Sequence, residues 1–469
     1  MRTIGHLIAT VLVALAKGLW WLARQLGRGL LAGLRVLGRV ARRGALGITR
    51  GPHRRAWVAS ALAIALALIV IVTLTTSSLF RNAASIGFFA SHRVTPTASA
   101  TATPTPRPSP HPGEAAPSGR AQAEAAYIRG LVSKMSTNEK IGQMIMFEFT
   151  GAEMSPAIEQ EIKEFHPAGV IIYKWNITDA NSIRTLDQQM QDMSAIPLLI
   201  ATDQEGGVVN RLAFEPGYRP SAEEMGQRND PNFVYQRGHE DAQQMYDLGM
   251  NFNLAPVVDV QNIPDGQSVM SSRMFGTTPD KVASLAGAYL NGLQADGHVV
   301  GTLKHFPGLG DVPGDPHEDH EIYLNRSVDQ LEAIDWVPYR TLLATGQVQA
   351  IMTTHLIMPS IDTVPTTISY KITTGLLRQK LGFDGVIITD GIYMQSIGYD
   401  YSFRQTILGA VQAGNDLIAS TYSYSSTADA VHILQGAVAD GTITQDRLNQ
   451  SVQRVLLMKL HMGLIHMPS

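Results

Sequence analysis

Residues 121–469 predict an α/β domain, a (β/α)8 TIM-type barrel, preceded by a membrane-anchor helix and a disordered linker. Three observations carry that expectation. Eight short apolar runs recur along the domain, and they are continuous rather than alternating, the pattern of parallel strands covered on both faces. Helix-patterned stretches separate them. Several runs end in a charged residue or an imidazole, and in such a barrel the chemistry gathers at the C-terminal ends of the strands. A doubly wound open sheet with the same alternation is the second reading.

The elements follow in order. The formal net charge is −3, which excludes a nucleic-acid binder by overall charge, yet no Asp or Glu precedes Glu114. There is no cysteine, which excludes disulfides, thiolate metal sites and a lipid-modified cysteine. In segment 1–55, Lys17, Arg24, Arg28, Arg35, Arg39 and Arg42 share one helical stripe beside Leu, Val, Trp20 and Trp21. That pattern fits a helix lying on an anionic membrane surface. Segment 56–80 contains the uncharged run 57–79, long enough to cross a bilayer. Seven arginines between Arg35 and Arg55 place the N-terminus in the cytoplasm and the rest of the chain outside, as a single-pass, membrane-anchored protein. A cleaved signal peptide is the rival reading, but the basic region is far longer than an ordinary leader's. Segment 81–120 is rich in Pro, Thr and Ala and reads as a stalk that cannot bury a core.

Within 121–469 the eight runs are IGQMIMFEF from Ile141, GVIIY from Gly169, IPLLIATD from Ile196, MNFNLAP from Met250, VVGTLKHF from Val299, VQAIMTTH from Val348, GVIITDG from Gly385 and NDLIAST from Asn415. Helical periodicity is expected over 187–193, 240–248, 279–295, 328–345, 372–381 and 427–440. The third run ends in Asp203, the fifth in Lys304 and His305, the sixth in His355 and the seventh in Asp390. One polar residue after a strand means little; several on one rim are harder to dismiss.

The stretch KHFPGLGDVPGDPHEDH, 304–320, crowds titratable groups onto a backbone too rich in Gly and Pro for a helix. It reads as a metal site, an acid/base loop or a solvated loop. Asp311, His317, Asp319 and His320 are the ligands a metal would use, but they lie on an irregular segment without helical ligand spacing, so no metal is expected. Asp315-Pro316-His317 supplies an imidazole and a carboxylate to orient it, which favours acid/base chemistry.

The motifs DQEGGVVNRL (203–212), LAPVVDV (254–260), SRMFG (272–276), KHFPGLGD (304–311), DPH (315–317) and ITDG (388–391) together resemble glycoside hydrolase family 3, in its β-N-acetylhexosaminidase branch. The resemblance covers roughly 125–465. It implies that Asp390 is the nucleophile, that His317 is the general acid/base with Asp315 as its partner, and that Asp203, Arg273, Lys304 and His305 bind hydroxyls of the terminal sugar. It implies a structural role for Arg211. Three positions depart from the family's pattern: Pro316 replaces the usual Ser, Leu309 a frequent His, and Gly391-Ile392 the more usual Asp-Leu or Ala-Leu. The expected activity is removal of terminal β-linked N-acetylglucosamine from oligosaccharide or muropeptide substrates, with no cofactor and no nucleic-acid partner. A β-glucosidase or β-xylosidase, and a membrane-tethered sugar-binding protein without activity, are the alternatives.

Overall fold

A computed structural model describes residues 119–214, 217–263 and 268–468. The surface helix, anchor and most of the stalk expected from the sequence lie outside these residues. Among the described residues, no helix is long and apolar enough to cross a membrane.

Eight strands form the barrel: β1 Ile145–Phe147, β2 Gly169–Ile172, β3 Leu199–Thr202, β4 Phe252–Asn253, β5 Val300–Phe306, β6 Ala350–Thr353, β7 Val386–Thr389 and β8 Ile418–Thr421. They pair in parallel in the order β8-β1-β2-β3-β4-β5-β6-β7. The ring closes where Ile388 of β7 bridges Leu417, just before β8. There Leu417 N donates to Ile387 O at 3.0 Å and Thr389 N to Leu417 O at 3.0 Å. The closed ring settles the sequence alternatives in favour of the barrel over the open sheet.

Alternate strand residues face different cores, because successive side chains of a strand point to opposite sides. Met146, Ile171, Leu199, Ala201, Phe252, Met352, Ile388 and Ala419 fill the barrel interior. Phe147, Val170, Ile172, Ile200, Leu303, Ile351 and Ile387 face the surrounding helices. Val455 and Met458, from the last helix Gln445–His461, join the interior cluster.

The helices start where the sequence offers caps. Ser155 caps Pro156–Phe165, Asp179 caps Ala180–Met193 and Asp230 caps Pro231–Asp247, each accepting backbone N–H groups the first turn leaves unpaired. Two of the expected helices therefore begin earlier than their apolar periodicity, at Ala180 rather than 187 and at Pro231 rather than 240. The helix expected over 328–345 is two, Val328–Ala333 and Trp336–Leu343, broken where buried Asp335 turns inward to pair with Arg326. The segment Lys371–Lys380 is helical as expected, with π pitch. The first apolar run is only partly strand, since Ile141 and Gly142 close the helix Thr137–Gly142.

Candidate active site

The polar strand ends meet at the C-terminal mouth of the barrel. Lys304, 2% exposed near the end of β5, donates from Nζ to Asp203 Oδ1 at 2.7 Å. Its Nζ also lies 2.7 Å from Glu205 Oε1. Arg273, in the loop after β4, grips the same carboxylate with two donors: Nε to Glu205 Oε2 and Nη2 to Glu205 Oε1, both at 2.7 Å. Burial alone would raise the Glu205 carboxyl, but Arg273 and Lys304 overwhelm it and hold it far below the usual carboxylate range. The two carboxylates in turn keep Lys304 charged despite its burial. Arg211 Nη2 stands 3.9 Å from Asp203 Oδ2.

His305 has a different anchor. Its Nδ1 donates to Asp259 Oδ2 at 2.8 Å, and its backbone N donates to Asp259 Oδ1 at 3.2 Å. Leu309 N donates to Asp259 Oδ1 at 2.8 Å. One buried carboxylate thus fixes the ring's tautomer and starts the long loop after β5. Leu309 is buried beside it.

Asp390 follows β7 directly. Its backbone N donates to Thr353 O at 2.8 Å, which pins it to β6. Its Oδ1 accepts from Gly391 N at 2.8 Å and its Oδ2 from Thr354 Oγ1 at 3.2 Å. Burial favours the neutral acid, but His305, His355, His317 and the Gly391 N–H prevail and hold Asp390 below the ordinary aspartate value. His355 is fully buried, and Nε2 donates to Gly391 O at 2.9 Å. Burial lowers its pKa, against the pull of the Asp390 carboxylate.

The loop carrying Asp315 and His317 is fastened at both ends and exposed at its tip. Arg326 Nε lies 3.0 Å from Asp311 Oδ2, and Tyr323 bridges Ile357. At the tip, His317 Nδ1 donates to Asp315 Oδ1 at 3.0 Å, and the His317 side chain is 61% exposed. Pro316 is buried, and its carbonyl accepts from Ser396 N at 3.2 Å. His320 stacks on Tyr399 at 4.2 Å. Both contacts dock the tip onto the segment that follows Asp390, so the charge of His317 reaches that carboxylate.

The structure thus places all seven expected residues on the C-terminal side of the barrel: Asp203 after β3, Arg273 after β4, Lys304 and His305 at the end of β5, Asp390 after β7, and the Asp315–His317 pair on the loop after β5. Sequence reasoning missed Glu205 and Asp259, each an organiser of two partners. Both lie inside motifs already quoted, DQEGG and VVDV, and a buried cation or imidazole nearby was the signal that each needed a carboxylate. His355 was noted as a strand-end residue without a role.

A closed eight-stranded parallel barrel with paired carboxylate and imidazole groups at the C-terminal ends of its strands is the arrangement of a barrel enzyme. The chain belongs to glycoside hydrolase family 3: residues 136–458 match the model of the glycosyl hydrolase family 3 N-terminal domain. It is 32% identical over 396 residues to the beta-hexosaminidase LpqI of Mycobacterium tuberculosis, covering 82% of this chain and 97% of that protein. It is 32% identical over 298 residues to a beta-hexosaminidase of Tolumonas auensis, covering 62% of this chain and 86% of that one. The fold superposes on a family 3 beta-N-acetylglucosaminidase from a Paenibacillus species with a TM-score of 0.68 and 32% identity, spanning 71% of this chain and 64% of that longer one.

Proposed function

We propose that the protein is a retaining, exo-acting β-N-acetylglucosaminidase that removes terminal β-linked N-acetylglucosamine from cell-wall fragments or chitooligosaccharides. The observation that carries this reading is Asp390, held ionised at the end of β7 and overhung by a loop bearing a carboxylate-oriented imidazole. In the first step Asp390 attacks the anomeric carbon while His317, through Nε2–H, protonates the departing oxygen. Asp315 accepts from Nδ1 and stabilises the proton-carrying ring. In the second step His317 takes a proton from water, the water attacks the anomeric carbon, and Asp390 is released. Asp203, Arg273, Lys304 and His305 bind the hydroxyls of the terminal sugar, in positions already fixed by Glu205 and Asp259 before substrate arrives.

Replacement of the nucleophile tests this. Asp390→Ala is expected to reduce hydrolysis of p-nitrophenyl β-N-acetylglucosaminide to background with an unchanged melting curve; near-normal turnover refutes the assignment. His317→Ala is expected to slow chitobiose hydrolysis by about 10²–10⁴-fold, the range of a general acid. It should slow the nitrophenyl substrate much less, because that leaving group needs little protonation; equal losses argue against the acid role.

The domain stands outside the cell on its stalk, 81–120, held by a single span over 57–79, with 1–55 on the cytoplasmic surface. The full chain should sediment with membranes, resist extraction by high salt, and lose its domain to protease added to intact spheroplasts. A soluble or protease-protected domain overturns this topology.

A further inference from the structure

Arg326 takes no part in the chemistry above, yet it closes the loop on which His317 stands. The loop leaves β5 through Pro307 and Gly308 and returns at Arg326. Both legs meet one carboxylate, Asp335, 1% exposed between the helices Val328–Ala333 and Trp336–Leu343. On the outgoing leg, a Cβ at Gly308 would stand 3.0 Å from Asp335 Cβ and Oδ1, and the φ of +137° also favours glycine there. Trp336, the next residue after Asp335, donates from Nε1 to Pro307 O at 3.1 Å. On the returning leg, Arg326 Nη1 donates to Asp335 Oδ2. Its Nε reaches back across the loop to Asp311 Oδ2 at 3.0 Å, and its carbonyl accepts from Ser360 Oγ at 2.8 Å.

Within the span 312–325, adhesion and aim come from different groups. Val312, Ile322 and Leu324 are buried in the helix-facing core, which holds the legs down without fixing their direction. The turn at the tip orders itself. Glu318 N and Asp319 N donate to Asp315 O at 3.0 and 2.7 Å, and Asp315 N donates to Asp319 Oδ2 at 3.0 Å. His317 is therefore fixed relative to its own turn, and the turn follows the legs that carry it. A planar guanidinium joined to one carboxylate on the outgoing leg and another at the helix junction supplies direction, because its donors point along fixed lines. Burial pushes the Asp335 carboxyl up to about 7 and Arg326 pulls it back, so each charge depends on the other.

We infer that Arg326 is a positioning residue for the acid step: by joining Asp311 to Asp335 it closes the base of the loop and sets where the His317 imidazole stands relative to Asp390. The inference rests on the glycosidase reading above, with His317 as the acid, and adds the group that aims it. A catalytic group displaced by about 1 Å can lose about a hundredfold in rate, so a tie at the base of the loop is felt at the glycosidic oxygen.

The test compares chitobiose, whose departing oxygen needs a proton, with the p-nitrophenyl glycoside, whose departing oxygen needs little help. Arg326→Gln is expected to lower kcat on chitobiose by about a hundredfold and to slow the nitrophenyl substrate at least about tenfold less. In the His317→Ala background the same change should add no more than about twofold, since the imidazole it serves is gone. Asp311→Asn cuts only the more exposed tie and guards against failed folding of Arg326→Gln. It should separate the two substrates in the same direction by a smaller factor. Equal losses on both substrates, or losses that add in full to those of His317→Ala, overturn the inference. Hydrogen exchange of the full chain supplies a second measurement. In either variant the amides of 312–323 should exchange faster than in the wild type, while those of the helix Pro279–Leu293 stay as they were. Unchanged exchange in the loop overturns the tie even where His317→Ala is selective. Faster exchange beside a His317→Ala variant that damages both substrates equally overturns the acid role of His317 instead, and the positioning with it.

Discussion

Asp390 is surrounded by three imidazoles, and the balance among them decides the charge of the proposed nucleophile. Burial pushes its pKa up; His305 is the strongest of the groups pulling it down, ahead of His355 and His317. Removing His305 leaves burial less opposed, so the sign is upward. His305→Ala should move the acidic limb of kcat/KM to higher pH. A pH–rate profile measures it, and an unmoved limb denies the coupling. The ends of the apolar runs made Asp390, Asp203, Lys304 and His305 legible in the sequence, because strand termini in a barrel point to one mouth. Glu205 and Asp259 were not legible as site residues. Each serves another side chain, and partnership across a fold leaves no local pattern: Glu205 meets Arg273 across 68 residues and His305 finds Asp259 across 46.

At the scale of elements, the seam between β7 and β8 carries the most concentrated polar structure outside the mouth. Asp416, fully buried just before β8, accepts from Ile387 N at 3.0 Å and Ser451 Oγ at 2.6 Å, and pairs with the guanidinium of Arg378. Arg454 and Arg447 lie at 3.5 and 3.7 Å. One carboxylate thereby ties the strand carrying Asp390 to the helices Lys371–Lys380 and Gln445–His461. Burial would neutralise it, but the three guanidiniums keep its pKa low. Asp416→Asn should destabilise the domain by about 3–5 kcal/mol, since it leaves buried cations without their counter-charge. Denaturant melts measure this against exposed Asp384→Asn, expected to change stability by less than about 1 kcal/mol; matching midpoints would contradict the role given to Asp416. The same logic explains the broken helix. The apolar period through 328–345 is continuous, yet Asp335 must turn in under Gly308 to reach Arg326, and that buried pair overrides the helical pattern.

At the scale of the whole molecule, strand number, strand order and the side bearing the chemistry were all readable, because a parallel barrel repeats one simple pattern eight times. The boundaries were less so: capping residues and buried pairs, not hydrophobic periodicity, decide where helices begin and end. One consequence of the mouth's construction concerns which sugars can dwell there. Its three cations, Lys304, Arg273 and Arg211, are matched by three anions, Asp203, Glu205 and Asp259, already engaged with them or with His305. Among the described residues of this cluster, Lys304, Arg273 and Arg211 are each already met by a carboxylate, so a uronic acid finds no unmatched cation among them. Such a sugar would give up its water for cations that are already satisfied and would face the ionised Asp390 as well, so the mouth discriminates against anionic monosaccharides.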